Sequence, residues 1–422
     1  MSQPRRTMLA PILFALLGGI ALASCSDTGV VNDVTDGGGT GTDGSGAGTD
    51  GSGAGTNGSG GSTGTSGGGG SSTGTGSGGG SPDDCVEGLV DDFGNVPGGP
   101  GGCGAFASNS TDVFYGIQGS AACGSIYHLP SGTDSIASFG NTSWACRPDG
   151  MTAAEDALWL SGTGPVCPPL RLTLPSGSPK VSFPGAESGM QSIVRLGDHV
   201  YFDSVFFQGI MRMPVADAIP ELWAGDDDGT TLFFVQRLLP PRGGEVLMLG
   251  RARTSSGVYR NGVLARDPEA PANTWRPIVV VPEEEFLTIL GSQPVVTDDA
   301  VYLRTGSAAE GWSLRRVPLE GAAVNLADAP VVHTAAPGTR LILLTGGPMD
   351  TLVFVEDTNV VAAPGGLTGM LTTLASGLGP GSSPVLGAHV QGSCLFYAPV
   401  VSGSPADNNV EVSIRRTRIP GL

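Results

Sequence analysis

The chain has 422 residues and a formal net charge of −18, with 14% charged residues. Lys180 is its only lysine, and no basic stripe or arginine-rich arm is present, which argues against a nucleic-acid partner. Seventy glycines and 32 prolines interrupt every window long enough for an amphipathic helix, so strands are the expected elements.

The first element reads as an export signal. Arg5 and Arg6 give a positive start, Met8 to Ala23 are almost wholly apolar, and small residues then lead to Cys25. The run is too short to span the ~30 Å hydrocarbon core comfortably, so a cleaved signal fits better than a transmembrane helix. Leu22-Ala23-Ser24-Cys25 resembles the lipobox of bacterial lipoproteins. The resemblance implies removal of residues 1–24, acylation of the Cys25 thiol, and a domain outside the cytoplasm held in the cell envelope. Several acyl chains on one cysteine make a stable anchor, the one membrane contact expected. Ser26, second in the mature chain, points to the outer membrane. An ordinary secretory signal with an incidental cysteine is the alternative.

Residues 25–82 form the next element, the lipidated cysteine and a linker. From about Asp36 to Pro82 the chain is nearly all Gly, Ser and Thr, with a short repeat starting at Asp43 and again at Asp50. Such a composition buries no core and behaves as a disordered coil with an r.m.s. reach of about 40 Å. Gly70-Ser71-Ser72-Thr73-Gly74 matches the G-x-S-x-G nucleophile pattern, but no strand precedes it and no helix follows, so the match is rejected.

Residues 83–422 carry a recurring phrase: an acidic or other turn residue, a short apolar-aromatic strand, a loop, and a second strand often ending in Pro. It first reads Asp112-Val113-Phe114-Tyr115, answered by Ile126-Tyr127-His128-Leu129-Pro130. The cleanest copy is Asp299-Ala300-Val301-Tyr302-Leu303, answered by Leu314-Arg315-Arg316-Val317-Pro318. Anchors fall at 112, 156, 198, 245, 299, 351 and 393, a spacing of 42 to 54 residues. Each unit has room for one strand before the hairpin and one after, as at Lys180 to Phe183, Trp275 to Val281 and Leu371 to Ala375. Four strands per unit of about 45 residues is the blade of a β-propeller. The expected fold is therefore all-β, a seven-bladed propeller, with six or eight blades as the alternatives. The phrase resembles the repeats of bacterial propeller lipoproteins and, more distantly, of the YWTD and NHL propellers. That resemblance speaks to fold and leaves the ligand open.

Six cysteines remain after Cys25, an even number in an exported chain, which suggests disulfides. Cys103 and Cys123 flank Asp112 at −9 and +11, and Cys146 and Cys167 flank Asp156 at −10 and +11. Equivalent places in successive units make Cys103–Cys123 and Cys146–Cys167 the economical pairs. Elimination leaves Cys85–Cys394, joining the start of the domain to its last unit. That unit stops after its third strand near Ile419, so a strand from Val86 to Asp91 is expected to complete it. A zinc site is the rival, but no C-x-x-C pair exists.

Local motifs assemble no active site. His128, His199, His333 and His389 fall in different units without ligand spacing. Asp226-Asp227-Asp228-Gly229 departs from a calcium loop, with Val235 where the closing Glu belongs, and reads as a solvated turn. Glu283-Glu284-Glu285 reads as a solvated face. Gly99 to Gly104 satisfies G-x-G-x-x-G without a βαβ unit around it. No catalytic residue, metal ligand or cofactor is assigned. The expected function is a lipid-anchored, non-enzymatic binding or scaffold module of the envelope, with a protein or glycan partner. The alternative is an envelope lyase or hydrolase at the mouth of the propeller channel, favoured if Asp, Glu, Arg or His converge there.

Overall fold

The structure, a computed structural model, describes residues 85–98, 104–117, 125–139, 147–163, 170–177, 180–182, 192–204, 209–216, 219–225, 233–271, 274–283, 285–286, 293–367, 370–379, 384–403 and 410–422. Strand β1 (Val90–Gly98) leads into seven blades. Blade one is β2 (Gly104–Ser108), β3 (Asp112–Ile117), β4 (Ser125–Pro130) and β5 (Ala137–Ser138). Blade two is β6 (Arg147–Ala153), β7 (Ala157–Thr163), β8 (Leu170–Thr173) and β9 (Lys180–Ser182). Blade three is β10 (Ile193–Leu196), β11 (His199–Ser204), β12 (Gly209–Pro214) and β13 (Glu221–Ala224). Blade four is β14 (Phe234–Arg242), β15 (Glu245–Arg253), β16 (Tyr259–Arg266) and β17 (Arg276–Val281).

Blade five comprises β18 (Val295–Val296), β19 (Ala300–Ser307), β20 (Gly311–Pro318) and, after a two-residue β21 (Val324–Asn325), β22 (Val331–Ala335). Blade six is β23 (Leu341–Gly347), β24 (Thr351–Glu356), β25 (Asn359–Ala363) and β26 (Thr372–Ala375). Blade seven is β27 (Val385–Gln391), β28 (Cys394–Ser402), β29 (Val410–Arg418) and, as its outermost strand, β1. The innermost strands β2, β6, β10, β14, β18, β23 and β27 each lie against the next, and β27 lies against β2, so the ring closes.

The second strand of every blade begins at or one residue beyond its sequence anchor. These strands are continuous apolar runs because each blade packs between two others and both faces are covered. Alternation decides which neighbour a residue meets. Val113 and Tyr115 join the cluster shared with blade seven, whereas Phe114 joins that of blade two. Leu158 and Leu160 turn back toward blade one, and Trp159 turns forward to blade three. Seven such clusters fill the seven interfaces.

The proline ending the third strand also has a physical reason. Pro130, Pro214 and Pro318 stand opposite Asp112, His199 and Ala300. The residue after each proline returns the ladder bond, Ser131 N–H to Thr111 O (2.9 Å), Val215 N–H to Asp198 O (2.8 Å) and Leu319 N–H to Asp299 O (2.8 Å). The position facing the anchor needs no donor toward the second strand, and proline fits it.

Ring closure follows the expected plan with shifted bounds. The closing strand is Val90–Gly98, whereas Val86–Asp91 was expected. A turn with Gly88 at φ +75° and a Leu89 N–H to Val86 O bond precedes it, leaving Val86 and Leu89 exposed. Pairing begins at Val90 opposite Thr417, Asp91 and Asp92 then meet Arg416 and Arg415, and Phe93 and Val96 are buried. Cys85 is bonded to Cys394 on β28, across 309 residues of sequence. The sequence did not announce β21, which pairs parallel with β17 and adds a fifth strand to blade four. Inner strands approach closely: a Cβ on Gly387 would lie 2.8 Å from Gly104 O of blade one.

Candidate functional site

The repeated aromatic of the second strand and an arginine of the third strand are cross-strand partners. Tyr201 stands opposite Arg212, Tyr302 opposite Arg316 and Tyr397 opposite Arg415, and blade two has Trp159 opposite Arg171. A carboxylate then holds each guanidinium: Glu221 (2.6 Å), Asp350 (2.7 Å), Asp92 (3.4 Å) and Asp156 (3.4 Å). His128 meets Asp112 at 2.8 Å and stacks on Phe114, and His333 meets Glu356 at 3.0 Å. His199 lies beside Tyr201. Most of these pairs tie strands within one blade, whereas Arg316–Asp350 and His333–Glu356 cross from blade five to blade six. Among the described residues no group of three His, Cys, Asp or Glu is placed to hold a metal ion.

The strongest of these ties joins blades five and six. Asp350, only 6% exposed, accepts from Thr297 Oγ1 (2.6 Å) and Tyr302 OH (3.1 Å) through Oδ1, and from Arg316 through Oδ2. Burial raises the Tyr302 phenol, and the Asp350 charge adds to the shift. Burial works against the Arg316 charge, yet the hydrogen bond and charge of Asp350 hold it above the ordinary arginine value.

A second cluster sits where the first-to-second-strand turns surround the channel. Ser108 Oγ at the end of β2 and His389 Nε2 on β27 share a 2.7 Å hydrogen bond. Arg242, at the end of β14, pairs with Asp298 (3.2 Å) and donates to Thr297 O. Burial keeps its guanidinium below the usual arginine range, opposed by Asp298. Burial, with the Arg242 charge adding to it, pushes His389 down to about 4.

His389 is therefore neutral at pH 7. Acidification from about pH 6.5 to about 4 protonates it more readily in the unfolded chain, so stability falls over that window. The loss is ~3 kcal/mol at most. Thermal melts at pH 4.5 and 7 are expected to converge in His389→Gln relative to the parent. Equal pH dependence of the two proteins would contradict this role.

The opposite end of blade four, at its β15–β16 hairpin, presents a third group. Phe234, Arg251 and Asn261 stand in one row across β14, β15 and β16, with Arg253 opposite Tyr259 next to it. Directly paired residues share a sheet face, and this one looks toward blade five. Arg251 pairs with Glu283 (3.2 Å) and lies 5.9 Å from the Tyr259 ring centre, while Phe234 packs edge-on against Phe286. Asn261 is 9% exposed, and among the described residues neither its Oδ1 nor the buried Arg251 Nε has a hydrogen-bond partner. An unmet buried polar atom costs about 1–3 kcal/mol.

Of the residues singled out in the sequence, Cys85 and Cys394 are joined as expected. Cys25, Cys103, Cys123, Cys146, Cys167, the Asp226–Asp228 turn and residues 99–103 lie outside the described residues. Glu283 and Glu285 are exposed, as a solvated face requires, and Glu283 also pairs with Arg251. Sequence reading missed Ser108, Arg242, Phe234, Arg251 and Asn261. Only the pairing register and the ring bring them together.

Seven sheets, six of four strands and one of five, closed into a ring define the class: a seven-bladed β-propeller. No family profile matches the sequence, and no curated protein matches it. Among solved structures the chain is similar to the WD40 β-propeller domain of Doa1, at 12% identity over 78% of this chain and 96% of that one, TM-score 0.45. It is also similar to a catalytically inactive virginiamycin B lyase from Staphylococcus aureus solved with quinupristin, at 13% identity over 78% and 99%, TM-score 0.46. A third likeness is the extracellular domain of BT4673 from B. thetaiotaomicron, at 11% identity over 76% of this chain, TM-score 0.44; the chain spans 39% of that protein's length. At these identities the likeness concerns fold alone.

Proposed function

We propose that this chain is an exported, lipid-anchored β-propeller that serves as a non-enzymatic binding or scaffold module of the cell envelope. The observation that carries the reading is the Cys85–Cys394 bond, which closes blade seven beside the point where the Gly/Ser/Thr linker meets the domain. A structural disulfide belongs to an oxidising compartment. A propeller stapled at its tethered end also keeps its ring shut against tension on the anchor. The lipobox-like Leu22 to Cys25 supplies that anchor, and Ser26 after it favours the outer membrane.

The rival reading, a hydrolase at the channel mouth, has one observation in its favour, the Ser108–His389 pair. Its chemistry argues the other way. A base held near 4 takes up a serine proton poorly at neutral pH, and Arg242 opposes the imidazolium that would result. The described residues place no carboxylate hydrogen-bonded to His389 to offset that charge. Treatment with a fluorophosphonate is expected to leave Ser108 unmodified by peptide mass mapping. Stoichiometric labelling of Ser108 that His389→Gln abolishes would refute the non-enzymatic reading.

A further inference from the structure

We infer that Met349 and Met370 form an oxidant-accepting site, at which hydroperoxides convert two exposed thioethers to sulfoxides while the ring stays folded. The inference goes beyond the binding-module reading and does not depend on it. Met349 is 57% exposed and Met370 87%. Met151, Met211, Met213 and Met248 lie in the apolar clusters between blades, none of them more than 8% exposed. A thioether is oxidised where the oxidant can reach its sulfur, so burial divides these methionines into two classes.

Met349 and Met370 flank one end of blade six. Met349 stands in the β23–β24 turn, and Met370 lies two residues before Thr372, which pairs with Ala362. Backbone bonds join the two segments, Gly365 N–H to Met349 O (3.3 Å) and Gly366 N–H to Asp350 O (2.8 Å). Thr351 N–H to Pro348 O (3.1 Å) closes the turn, so its backbone is held without the Met349 side chain. Oxidation adds a polar oxygen to groups that already face water, and no buried contact is lost.

The step needs no cofactor. A sulfur lone pair attacks one peroxide oxygen, the S–O bond forms as the O–O bond breaks, and the leaving hydroxide takes the remaining proton to give water. Sulfur loses two electrons and the peroxide gains them. A neutral hydroperoxide meets no electrostatic barrier from the net charge of −18, whereas an anionic oxidant would.

The test treats the mature full-length chain in detergent with hydrogen peroxide at pH 7 and follows oxygen addition by peptide mass mapping. Cleavage before aspartate separates Met349, in residues 328–349, from Met370, in residues 357–406. Both are expected to gain one oxygen roughly tenfold faster than Met151, Met211, Met213 and Met248. The melting temperature should stay unchanged when only these two carry it. In guanidinium chloride the same methionines should react alike, which assigns the difference to the fold. Equal rates in the folded chain, a difference that persists in guanidinium chloride, or a melting temperature lowered by oxidation of Met349 and Met370 alone overturns the proposal.

Discussion

Replacing Cys394 by Ser is expected to lower the melting temperature by roughly 5–10 °C. The bond closes a loop spanning 309 residues of sequence, and in the chain-entropy model so long a loop is worth on the order of 5 kcal/mol. The location matters as much as the loop length. β1 is held to blade seven by pairing with β29, by Asp91–Arg416 (2.7 Å) and by Asp92–Arg415 (3.4 Å). Without the bond, the N-terminal strand can peel from β29 and open the ring at that blade. Hydrogen exchange in the Cys394→Ser variant should therefore rise first in residues 90–98, ahead of β15 and β19. Uniform exchange, or an unchanged melting temperature, would mean that the bond does not hold the closure.

Asp350→Ala is expected to cost about 3–5 kcal/mol, the range for breaking a buried ion pair from one side. Removing the carboxylate leaves Arg316 without its counter-ion and takes an acceptor from Tyr302 OH and Thr297 Oγ1, at an interface where Leu314, Leu341 and Leu352 are buried. Asp350 itself sits at φ +53°, a conformation that Asp tolerates better than most side chains. Chemical denaturation measures the loss. The Asp350→Ala, Arg316→Met double variant should recover part of it, because no charge is then left unpaired. A single variant within 1 kcal/mol of the parent would show that the network contributes little.

The second and third strands were legible in the sequence because they combine a turn residue, a continuous apolar run and a terminal proline, each with a local cause. Asp112 to Tyr115 and Asp299 to Leu303 needed no partner to be recognised. The first strands were not. Val295–Val296 is two residues long and Gly104–Ser108 is mostly small residues, since these strands crowd the axis and carry little apolar surface. The β21 bridge was invisible for the same reason of length. The sites were hidden by distance along the chain: Ser108 and His389 are 281 residues apart, and Phe234, Arg251 and Asn261 become neighbours only through strand register. Cysteine positions carried long-range information because elimination within the repeat left Cys85 and Cys394 together.

Intact-mass analysis of the protein purified from host membranes, with and without reduction, tests the central claim most directly. The account predicts a chain that begins at acylated Cys25 and gains six hydrogens on reduction, from Cys85–Cys394, Cys103–Cys123 and Cys146–Cys167. A soluble protein of unacylated mass, or one with free thiols throughout, would contradict both the anchor and the oxidising compartment.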